Sequence, residues 1–93
     1  MSAQPDFSRE SFDEGMRARI HAGEALCAVV ETMAVAGRLD LARRNMAQIN
    51  AILNEATRCV AAGGSSAPDS LAALLDGLRH RARNAETVLK LVE

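Results

Sequence analysis

Apolar residues recur every three or four positions along most of this chain and never alternate with polar ones over a useful length. That spacing is the signature of helices with one wet and one buried side, and it leaves strands without support. At 100° per residue, Phe12, Met16, Gly23, Leu26, Val30 and Met33 share one face of a first helix. Ser11-Phe12-Asp13-Glu14 reads as a capping box that starts this helix near Ser8 or Ser11, and Gly37 ends it. A second helix begins at Leu39 or Asp40, where an acidic side chain suits the positive helix end. Its stripe is Ala42, Met46, Ile49, Leu53, Ala56 and Val60, flanked by Leu41, Ile52 and Cys59. The third helix takes Ser66 as its cap, with Pro68 and Asp69 in its first turn. Leu71, Leu74, Leu75, Leu78, Ala82, Ala85, Leu89 and Val92 form the cleanest stripe of the three.

The expected architecture is therefore all-α. An antiparallel helical hairpin, about 8–36 and 39–62, is followed by a C-terminal amphipathic helix at about 67–92. Residues 1–93 form one domain, with a flexible segment at 1–7 and a Gly/Ser linker at 63–66. A turn as short as Gly37-Arg38 forces the first two helices to run antiparallel. Folding about it pairs positions whose numbers sum to about 76. Val30 then faces Met46, Gly23 faces Leu53 and Met16 faces Val60, all on stripes drawn from periodicity alone. The same pairing sets Cys27 and Cys59 about 15 Å apart at helical rise, against the roughly 7 Å limit of a disulfide, so both are expected as reduced thiols.

Residues 26–49 resemble a single tetratricopeptide hairpin. Leu26, Val29 and Met33 precede a glycine turn, and Ala42 and Met46 stand at that family's small and large positions. Val30 replaces a small residue and Asn54 the usual proline, the family's aromatics are absent, and no second copy follows. The resemblance implies local hairpin geometry.

Composition limits how much core these stripes can supply. Of the 93 residues 48% are apolar, but eighteen are alanines, and there is no Trp or Tyr. An aliphatic core this thin makes self-association a reasonable expectation. The net charge of -1 gives no long-range pull toward nucleic acid or an anionic membrane. The longest nearly apolar run, 25–37, holds Glu31 and falls short of the roughly 20 residues that span a bilayer. A soluble, cytoplasmic protein is expected.

The candidate chemistry is sparse. GLRHRARN (77–84) clusters three arginines and a histidine. With Leu78 at 0°, however, Arg79 lies at about 100°, Arg83 at about 140°, His80 at about 200° and Arg81 at about 300°. These charges wrap the helix, and Asp76 and Glu86 stand three residues away to pair with Arg79 and Arg83. A bundle metal site wants paired Glu-x-x-His on facing helices, and only the reversed His21-x-x-Glu24 is present. No metal or cofactor is expected, and no catalysis. Cys27 and Cys59 lie on stripe borders without an adjacent base. Arg19, inside the apolar face near Ala56, is within reach of Glu55, and Asn45 edges the second stripe, where a polar group often fixes register.

The surplus is apolar. Val29 and Val35 lie outside the first helix's face, and Val88 and Leu91 lie around the third helix from Leu89. The expected function is a small non-catalytic protein–protein interaction module: an adaptor, regulatory subunit or chaperone-like protein that takes a partner's amphipathic helix or a second copy of itself, most simply as a homodimer. Leu71, Leu75, Leu78, Val88 and Leu91 are the interface candidates, with Arg19 and Arg81 as polar orienters, around a groove between the third stripe and the hairpin. A nucleic-acid-associated regulator using Arg38, Arg43, Arg44, Arg79, Arg81 and Arg83 is the alternative. A helical-bundle ligand or metal carrier is the weaker one.

Overall fold

The computed structural model describes the backbone of residues 4–63 and 68–93, and the side chains of 12–63 and 69–93. Three helices follow one another: α1 (Gln4–Val35), α2 (Leu39–Ala62) and α3 (Pro68–Val92). They pack side by side into a rod of 55 × 19 × 15 Å in which each helix touches both others, with α1 and α3 parallel and α2 running in the opposite direction. α1 begins earlier than its serine pattern indicates: Ser8 and Ser11 both lie inside the helix. The expected cap Ser66 and linker residues 64–66 lie outside the described residues, as do residues 1–3 of the N-terminal segment.

The turn between α1 and α2 is closed by two backbone bonds. Arg38 N–H donates to Met33 O at 2.8 Å and Gly37 N–H donates to Ala34 O at 3.0 Å, the pair that defines a Schellman cap. The cap needs a left-handed residue, and Gly37 supplies it with φ +79. α2 then starts without a side-chain cap, with Asp40 in its first turn, and ends at Gly63, φ +73.

Burial follows a 3-4-3-4 rhythm in α1 and α3, and in α2 once half-buried Leu53 is included. On α1 the buried positions are Asp13, Met16, Ile20, Gly23, Cys27, Val30 and Ala34; on α2 they are Ala42, Met46, Ile49 and Ala56; on α3, Leu71, Leu75, Leu78, Ala82, Ala85 and Leu89. An average of 3.5 residues per turn is the seam of helices that coil around one another. For α2 and α3 these positions fall on the stripe expected from periodicity, except that Leu53, Val60 and Leu74 are only half-buried and Val92 at the end of α3 is exposed. For α1 the core is rotated from the expected face: Ile20, Cys27 and Ala34 point inward, while Phe12, Leu26 and Met33 move to the flank.

Register follows from two observations. The hairpin sum of about 76 pairs α1 with α2. Across α1 and α3, a methyl placed on Gly23 would stand 3.0 Å from Leu78 Cδ2, which fixes an offset of 55 residues. By these registers Gly23 shares a layer with Leu53 and Leu78, Ile20 with Ala56 and Leu75, Cys27 with Ile49 and Ala82, and Ala34 with Ala42 and Leu89. Each layer sets one or two small residues against larger ones, so the helices approach closely and the volume is filled. That is how a chain so rich in alanine closes a core.

Candidate interaction surface

With the seam fixed, each helix has two flanks, and contacts between helices show which flank faces which neighbour. Arg19 on α1 pairs with Glu55 on α2 at 2.6 Å. Arg17 on α1 donates to Ser70 Oγ on α3 at 3.4 Å. Arg43 on α2 pairs with Glu93 on α3 at 3.0 Å, and Arg79 on α3 donates to Thr57 Oγ1 on α2 at 2.9 Å. These contacts divide the outside of the rod into three grooves of different character.

The α2/α3 groove is charged. Besides Arg43, Glu93 and Arg79 it holds Asp40, which faces Arg43 at 4.0 Å, and Asp76, which accepts from Arg79 at 3.0 Å. A small cleft of about 130 Å³ lies along it, lined by Met46, Asn50, Leu53, Arg79, Ala82, Arg83 and Glu86. The α1/α3 groove mixes Glu24, Glu31, His21 and Arg81 with apolar residues at one end, where Leu91 is 80% and Val35 74% exposed. The α1/α2 groove differs from both. Leu26, Met33, Leu41, Ile52 and Cys59 lie half-buried along it with Asn45, Gln48 stands exposed beside them, Val29 is 38% exposed, and the Arg19–Glu55 ion pair crosses it.

The residues expected at an interface separate accordingly. Leu71, Leu75 and Leu78 lie inside the chain's own core. The expected groove between the third stripe and the hairpin is not open, because that stripe fills it. Val88 packs half-buried against the core, and Leu91 is exposed. Arg19 pairs with Glu55, as the hairpin register indicates, and both side chains remain well exposed. Arg81 is exposed beside α1. Of the arginines considered for nucleic acid, Arg43 and Arg79 are engaged by carboxylates, Arg79 by Asp76 as expected. Asn45 does not bridge helices: its Nδ2 donates to Leu41 O within α2 at 2.9 Å.

Two features escaped the sequence reading. Asp13, read as part of a capping box, occupies a core position of α1 and is buried to 4% exposure. The apolar α1/α2 flank was absorbed into the supposed core face of α1. Its signal lies in the 3-4 spacing of Ile20, Gly23, Cys27, Val30 and Ala34, which defines a second and narrower seam.

Both cysteines are free. Burial pushes the Cys27 thiol above its ordinary value; the nearby Arg81 guanidinium draws it down, while Glu31 and Glu24 add to the rise. A buried thiol held protonated is a packing group, the opposite of an activated nucleophile. His21 Nδ1 lies 3.0 Å from Glu24 Oε1 on an exposed turn, and no group of three His, Cys, Asp or Glu comes together among the described residues. Nor, among those residues, is any helix long and apolar enough to cross a membrane. No protein-family model, curated protein or solved structure matches this chain.

Proposed function

We propose that this chain is a small non-catalytic interaction module whose α1/α2 face receives another protein. The observation that carries this reading is the contrast among the three grooves. One face is lined by half-buried aliphatic side chains and an exposed Val29, while its neighbours are charged or mixed. A largely aliphatic face on a small rod has a free-energy reason to be covered. The adaptor, regulatory and chaperone-like roles all use such a face, and homodimerisation uses it equally. The engagement of Arg43 and Arg79 by carboxylates weighs against the nucleic-acid reading, since phosphate binding wants uncompensated cations.

The experiment compares tagged wild type with Val29→Glu as bait for cell proteins and for an untagged second copy. Both baits should have the same helical circular dichroism, and wild type should retain a partner that Val29→Glu loses. Identical capture by the two baits would remove this face from the function.

A further inference from the structure

We propose that the occupant of the α1/α2 face is a second copy of this chain, docked in parallel about a two-fold axis running along the groove. The inference rests on the interaction-module reading and names its partner. Self-docking is favoured by the way residues are matched across the hairpin. At closely similar heights, Arg19 stands beside Glu55, Leu26 beside Ile52, and Met33 beside Leu41. An axis along the groove preserves height and exchanges α1 for α2. Leu26 therefore meets Ile52 of the second copy, Met33 meets Leu41 of the second copy, and Arg19 meets Glu55 of the second copy.

The charges decide for this arrangement. Arg19 and Glu55 already bond within one chain at 2.6 Å, so the face is neutral as a unit. Two copies bring the pairs together as a ring of four groups alternating in sign, with no like charges opposed. Sliding the copies along the rod, or reversing one, would set the ion pairs against aliphatic side chains or amides instead. An isologous contact asks for this kind of self-complementarity.

The area is adequate too. From Phe12 to Met33 the face runs about 30 Å at helical rise, and the rod is 19 Å wide. That gives about 600 Å² per copy and about 1,200 Å² for the pair, above the roughly 1,000 Å² expected of a specific interface. A lone amphipathic helix from another protein would cover only part of the width.

Light scattering and sedimentation over a concentration series provide the test, with circular dichroism as the folding control. Wild type is expected at the mass of two chains. Arg19→Glu and Glu55→Arg each place like charges across the axis and should dissociate, with the dissociation constant raised at least about tenfold. Mixing the two variants restores opposite charges, and a heterodimer should form at close to wild-type affinity. Leu91→Asp, on a different groove, should keep the two-chain mass.

A wild-type chain of single mass at every concentration would overturn the proposal. So would two folded charge variants that fail to recover on mixing, or dissociation by Leu91→Asp. If wild type is single yet loses a captured protein on Val29→Glu, the face belongs to a different partner; self-docking fails and the module reading survives. Should either charge variant fold poorly, Val29→Glu serves in its place, and a folded two-chain Val29→Glu would overturn the proposal equally.

Discussion

Glycine acts in this chain by where it lies against neighbours. Gly15 and Gly23 sit in the same helix, yet a methyl on Gly15 meets nothing within 4 Å, while one on Gly23 meets Leu78 Cδ2 at 3.0 Å. Both substitutions gain alanine's helical preference, about 0.5–1 kcal/mol. Only the second must displace a side chain that is fully buried. Gly15→Ala is therefore expected to raise the urea midpoint, and Gly23→Ala to lower the unfolding free energy by about 1 kcal/mol or more. The thiols divide similarly. Cys59 is partly accessible and should react with a disulfide reagent in the native state, whereas Cys27 should wait for unfolding. Because the folded Cys27 thiol titrates above its ordinary value of 9.0, the native state holds that proton more firmly than the unfolded chain. Its contribution is complete below that value and declines as pH rises beyond it, so a denaturation series should show stability falling above about pH 9, and less so in Cys27→Ala.

At the scale of the element, amphipathic stripes make α2 and α3 legible from sequence, and the hairpin arithmetic alone brings Arg19 within reach of Glu55. α1 differs from its expected rotation for a physical reason. Three of its bulky residues, Phe12, Leu26 and Met33, sit on the flank, while its seam intersperses Gly23, Cys27, Ala34 and an aspartate among Met16, Ile20 and Val30. Bulk marks a core only when the neighbouring helices are small, and here α2 and α3 supply the leucines and Ile49. The interface candidates on α3 failed to separate from the core for the same reason: a stripe that packs on its own hairpin looks, in sequence, like one that waits for another chain. Val88 and Leu91 were correctly set outside the main stripe, but only Leu91 is fully exposed. Truncation should expose the difference. Leu78→Ala is expected to cost about 3 kcal/mol in chemical denaturation, and Leu91→Ala to stay within about 0.5 kcal/mol of wild type.

For the whole molecule, a net charge of -1 and the carboxylates paired with Arg43 and Arg79 set the expectation for polyanions. The chain should pass through immobilised heparin at low ionic strength. Retention that collapses steeply with added salt would return the nucleic-acid reading to consideration.

Three is an odd number of passes. A polypeptide crossing the rod an odd number of times enters at one pole and leaves at the other, about 50 Å away by the rise of its longest helix. Cargo joined to the two ends would be held apart like weights on a dumbbell. Two rods joined flank to flank in parallel would gather both entrances at one pole and both exits at the opposite one.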